Sequence, residues 1–148
     1  MLVSVTSHRE PEPLDLSAFE RLGRFVLERE ELPDAAELSI AVVDAAEIAH
    51  LNLRYRGVDG PTDVLSFGCD DVCSAGDGEP ITLGDVVIAP EIAQMQAAGL
   101  GVRIEDELNL LLAHGILHLL GYDHESDEDA AAMQERERAL LEAYADLG

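Results

Sequence analysis

A chain of 148 residues with 47% hydrophobic content has enough apolar material for one core of ordinary size and needs no disulfide scaffold. No apolar run approaches the ~20 residues that cross a bilayer, the N-terminus lacks a basic segment followed by an apolar one, and two cysteines are too few for a secreted framework, so a cytoplasmic location is expected. Thirty-one acidic residues stand against nine basic ones, all arginine; the net charge of −22 reflects either a compositional bias toward Ala and Arg over Lys or an acidic surface that repels nucleic acid or meets a basic partner, and it is a handicap for RNA binding.

In chain order, residues 2–6 alternate like a short strand. Residues 14–32 place Leu16, Phe19, Leu22, Phe25 and Val26 at helical spacing, with Pro33 as the stop. Residues 37–44 are rich in β-branched side chains and predict a second strand. Asp44 followed by Glu47 forms a capping-box pattern that opens a helix to about Tyr55, after which Gly57, Gly60 and Pro61 break the chain. Residues 63–68 predict a strand, 69–80 a polar connection carrying Cys69 and Cys73, and 82–90 another strand. A short helix over 91–99 ends at glycine, a strongly apolar helix spans 104–120, and Ser126 caps a last helix to about Ala145. The order β-α-β-α-β-β-α-α-α predicts one α+β domain over 1–148, a mixed sheet of about four strands packed with helices.

Three of the five histidines fall within eleven residues, His114, His118 and His124, with Gly121 between the last two. Four residues apart on a helix is about 40° around the axis and one turn along it, so His114 and His118 reach one point. Gly121 lets the chain turn back, bringing His124 to the same point from outside the helix. Three imidazoles suit one zinc ion and leave a fourth position for water, whose pKa the metal would lower toward ~7. Asp123 is the candidate, by proximity, to hold the second nitrogen of one histidine. The spacing matches the zinc helix of metzincin peptidases, but Gly115 stands where those enzymes carry a glutamate base, which counts against a protease. His8 and His50 carry no such pattern, and a C-x3-C spacing without further nearby ligands leaves Cys69 and Cys73 as free thiols.

The segment from His114 to His124 resembles the zinc signature of the YbeY family of bacterial endoribonucleases, the rRNA maturation factors. Two further stretches agree and lie in the family's order: Leu53 to Phe67, containing Tyr55-Arg56 and Pro61-Thr62-Asp63-Val64-Leu65-Ser66-Phe67, and Leu83-Gly84-Asp85 with the strand that follows. This resemblance, over about residues 40–125, implies single-strand-directed RNA cleavage in small-subunit ribosomal RNA maturation and ribosome quality control. It also implies a zinc ion at His114, His118 and His124, with Arg56 and His114 as functional residues. Gly68 departs from the proline usual in the family and should loosen the loop that follows.

A guanidinium at Arg56 fits phosphodiester chemistry, because it binds two phosphate oxygens and stabilises charge developing in the transition state; the alternative is a helix-end arginine satisfying the dipole. Arg54 and Arg103 are candidates for backbone phosphates or for plain surface, Asp63 and Asp85 for loop orientation, and Ser66 for substrate contact or a buried strand serine. The partners expected are a ribosomal RNA precursor and a basic ribosomal protein or the assembling small subunit, with neither DNA nor membrane. Two other functions fit the same residues: a non-catalytic zinc-containing assembly factor, and a metal-dependent hydrolase of another substrate.

Overall fold

The computed structural model describes residues 1–68 and 80–147 and orders them as β1 (Leu2–Ser7), α1 (Leu16–Arg29), β2 (Ala36–Val42), α2 (Ala45–Arg56), β3 (Val64–Gly68), β4 (Ile81–Ile88), α3 (Pro90–Leu100), α4 (Ile104–Leu119) and α5 (Asp127–Ala145). The four strands form one mixed sheet in the order β1-β2-β4-β3, with β3 antiparallel to β4 and the other pairs parallel. The α+β class and the four-stranded mixed sheet expected from the sequence are therefore present. The predicted connection 69–80, with Cys69 and Cys73, lies outside the described residues apart from Pro80.

Element ends follow local hydrogen bonding. Asp15 accepts from the Ser17 amide to start α1, and Asp44 accepts from the Glu47 amide to start α2, as the capping pattern predicts. Pro33 does not end α1; the helix has already stopped at Glu30, with Glu31 at φ 60 and the Leu32 amide closing onto the Leu27 carbonyl at 3.0 Å. The strand predicted to Pro90 ends at Ile88, because Pro90 takes the first helical position of α3, where its fixed φ and missing N–H suit the helix. Gly101, at φ 70, closes α3 rather than Gly99.

Both faces of the sheet are covered. Val3, Leu38, Ile40, Val42, Val86 and Ile88 face the main core, filled from above by Leu22 and Val26 of α1 and by Leu112, Ile116 and Leu117 of α4. The opposite face holds a smaller cluster in which Val43, Leu65, Val87 and Ala89 pack with Ile48 of α2. The period-2 alternation of β3 decides what each side meets: Leu65 and Phe67 belong with α2, whereas Val64 and Ser66 meet α4.

Helix α4 packs on α1, α3, α5, β3 and β4. Its approach to the sheet is set by Gly115, where a Cβ would lie 2.7 Å from Val86 Cγ1, 3.2 Å from Ser66 Oγ and 3.3 Å from Val64 Cγ2. Ser66 Oγ uses the gap to donate 2.8 Å to the Gly115 carbonyl, so this serine ties strand to helix. Gly84, at φ 135, plays the matching part on β4; a side chain there would strike the Phe67 carbonyl. Val86 is β-branched and cannot swing aside, so Gly115→Ala should lower stability by about 1–3 kcal/mol, read as a reduced urea midpoint with an unchanged denaturant slope.

Candidate active site

Helix α4 carries His114 and His118 one turn apart, and the two Nε2 atoms face each other at 3.1 Å. Gly121, at φ 102, turns the chain after α4, and His124 follows in the loop before α5. The ring centroids of His114–His118, His118–His124 and His114–His124 stand 4.6, 5.0 and 6.0 Å apart. The structure thus brings together the three histidines chosen from their spacing. Two nitrogens sharing a tetrahedral ion at zinc–imidazole bond lengths sit about 3.3 Å apart, so the His114–His118 pair fits such an ion. His124 is exposed and its ring stands further off; among the described residues no set of three His, Cys, Asp or Glu side chains is gathered tightly enough to hold a metal as it stands.

A residue the sequence reading missed holds the first histidine. Glu137 of α5, buried beneath the site, hydrogen-bonds His114 Nδ1. With Nδ1 donating its proton to that carboxylate, Nε2 keeps its lone pair and points toward His118, the state a metal ligand requires. Asp123, expected in such a role by proximity, is turned elsewhere: its Oδ1 accepts the Glu125 amide at 3.3 Å, forming a local turn. The signal for Glu137 was its place in the inward stripe of α5, between Met133 and Leu140, where a carboxylate needs a partner. Burial pushes His118 below the usual histidine range, helped by His114 and His124 and opposed by a hydrogen bond to the Tyr122 backbone.

The histidines open into a cleft of about 660 Å³ at the free edge of β3, where Tyr55 and Arg56 of α2 face His114, His118 and His124 across Thr62 to Gly68. A groove of similar volume between α4 and α5 contains none of the histidines. Arg56 ends α2 and is steadied by Asn52, whose Oδ1 accepts from Arg56 Nη1 at 3.4 Å while its Nδ2 donates 2.9 Å to the Gly60 carbonyl. Among the described residues six of the nine arginines pair with carboxylates: Arg9, Arg21, Arg24, Arg103, Arg136 and Arg138. Arg54 and Arg56, both at the cleft end of α2, do not. Arg103, in contrast, is paired with Glu105 at 3.6 Å and does not line the cleft.

Asp63 serves the local backbone, with Oδ1 accepting the Val64 amide at 2.7 Å and the Thr62 hydroxyl at 3.3 Å. Asp85 sits in β4 opposite Phe67 and lines none of the cleft. On the other side of His114, Asp63, Glu107 and Glu137 share a cavity of about 480 Å³ with His124.

The family model described as Endoribonuclease YbeY matches residues 6–145. The chain belongs to the YbeY family. An Endoribonuclease YbeY from Frankia alni is 41% identical, with 97% of this chain and 83% of the relative covered. One from Acidothermus cellulolyticus is 46% identical over 83% of this chain and 79% of its own length. The solution structure of TM1509 from Thermotoga maritima superposes with a TM-score of 0.64 at 29% identity, covering 95% of this chain and 87% of that one. Two of the three stretches that carry the resemblance, Tyr55 to Phe67 and the histidine segment, form opposite walls of the same cleft.

Burial raises the pKa of Glu107 above its ordinary 4.5, and the charge of Asp63 adds to the shift. A carboxyl that holds its proton more tightly when folded contributes stability that is full below about 4.5 and is lost as pH rises through the raised value. Glu107→Gln, uncharged throughout, should therefore melt higher than the parent at neutral pH, and the gap should close at about pH 4. Thermal melts of the metal-free proteins at both pH values check this.

Proposed function

We propose that this chain is a zinc-dependent endoribonuclease that cuts single-stranded segments of small-subunit ribosomal RNA precursors, with a place in ribosome quality control. The observation that carries the reading is the meeting of His114, His118 and His124 with Arg56 across one open cleft. Family membership supports the nuclease activity. His114, His118 and His124 would hold the metal, which supplies Lewis-acid activation of the attacking oxygen or of the phosphoryl group. Glu137 keeps His114 in the tautomer that offers Nε2, and Asn52 holds Arg56 at the mouth of the cleft. The Arg56 guanidinium reaches two non-bridging oxygens of the scissile phosphate and offsets the charge that grows there as the phosphorus–oxygen bond breaks.

A peptidase reading is poorly supported, because position 115 has no room for a glutamate base: even a methyl group there meets Val86 and Ser66. The acidic surface bears on delivery. With a net charge of −22 and most arginines already paired, sequence-independent RNA affinity is expected to be low. A basic ribosomal protein or the assembling small subunit would bring RNA and enzyme together in the cytoplasm. No helix among the described residues is long and apolar enough to cross a membrane.

The test is cleavage of a single-stranded ribosomal RNA fragment by protein of measured metal content. About one zinc per chain and cleavage by the parent, with folded His114→Ala and Arg56→Ala both inactive, is the expected result. Zinc-loaded protein that cuts no RNA would sink the nuclease reading and leave an assembly factor. Glu137→Gln should weaken zinc binding by about 10–100-fold in a chelator competition while leaving the far-ultraviolet spectrum unchanged.

A further inference from the structure

Opposite the histidines, the cleft carries an exposed aromatic ring that the metal site and Arg56 do not explain. Tyr55, on the last turn of α2, is 57% exposed although it lines the cleft. Its ring is not adrift. Phe67 of β3 meets it edge to face at 5.2 Å between centroids and 64° between planes, and the Arg54 guanidinium lies 5.3 Å from its centroid. Phe67 is itself packed on the cluster beneath α2, so the tyrosine leans on the core while most of its surface remains open to solvent. The next residue in sequence, Arg56, faces the histidines.

We propose that Tyr55 is a stacking platform for an unpaired nucleobase adjoining the scissile phosphate, an inference that rests on the nuclease reading above. Every nucleobase has a π-face, so a propped aromatic ring accepts any of them. A base inside a duplex has both faces covered by its neighbours and cannot reach the ring. Selectivity for single strands then follows from the platform, with no need to read sequence. Stacking also answers the charge problem. With nine arginines, no lysine and six of those arginines tied to carboxylates, this chain has few cations for phosphate, and attraction between neutral rings works despite a net charge of −22. Arg54 over the ring adds a cation–π contact that a stacked base would share.

The chain contains no tryptophan, so Tyr55→Trp installs a single fluorescent reporter at the site. In a His114→Ala background, which does not consume the probe, a short single-stranded oligoribonucleotide should quench this fluorescence, whereas the same sequence annealed into a duplex should not. In the zinc-loaded enzyme, Tyr55→Phe should keep its KM for single-stranded RNA, and Tyr55→Leu should raise KM about tenfold with little change in kcat. Parent enzyme that cuts RNA, together with a folded Tyr55→Leu of unchanged KM and a reporter that single strands do not quench, overturns the platform while leaving the nuclease reading intact. Quenching by single strands in a protein whose parent form never cuts supports the platform and defeats the nuclease reading instead.

Discussion

The close approach of α4 to β3 and β4 at Gly115 is the contact on which the other features depend. A hydrogen atom in place of a side chain lets the helix backbone come down until the Ser66 hydroxyl reaches the Gly115 carbonyl. That depth fixes the height of His114 and His118 on either side of it, and hence where the third histidine must arrive. It also explains a chemical oddity. Zinc peptidases with the same histidine spacing carry their base at this position; here the space is occupied by Val86, and the helix exchanges a reactive group for a tighter seat on the sheet.

Three sides of the site are built by different physical means. The α4 side is core: its histidines emerge from a helix whose neighbours Leu112, Ala113, Ile116 and Leu117 are buried. Below it, α5 contributes a single carboxylate, affordable in an apolar stripe only because His114 supplies the partner. Facing both, the end of α2 is held by a left-handed Gly57 cap and by Asn52, which is buried and bonded to both Arg56 and the loop at Gly60. Asn52 is thus the link between the helix that ends in Arg56 and the loop that leads into β3.

What could be read from the sequence was what is local in it. The capping pairs Asp44–Glu47 and Ser126–Asp129, the strand alternation and the histidines one turn apart all express geometry within a few residues, and each stands in the structure where its spacing places it. Helix ends were less legible: Pro33 and Gly99 look like terminators, yet α1 has already stopped at Glu30 and α3 runs past Gly99 to close at Gly101. The Glu137–His114 bond spans 23 residues and two helices, so only the packing of α5 on α4 reveals it; Asp123, nearer in sequence, points into its own turn. Likewise the support of Tyr55 by Phe67 joins residues on separate elements, and no spacing rule predicts that their rings meet. The place of Arg56 across the cleft from the histidines also joins separate elements, and helical spacing alone does not reveal it.

The burial of α4 has one more consequence, which concerns how this site can change over generations. A helix that serves as both the central beam of the core and the carrier of His114 and His118 opens only when much of the molecule opens with it, so the placement of both side chains is tied to the fold. Substitutions that would adjust the spacing of those two side chains are coupled to the survival of the whole fold. Diversification is left to the periphery, namely the exposed loop bearing His124 and the exposed last turn of α2. Descendants of this chain could acquire new substrates there while the two α4 imidazoles stayed where they are.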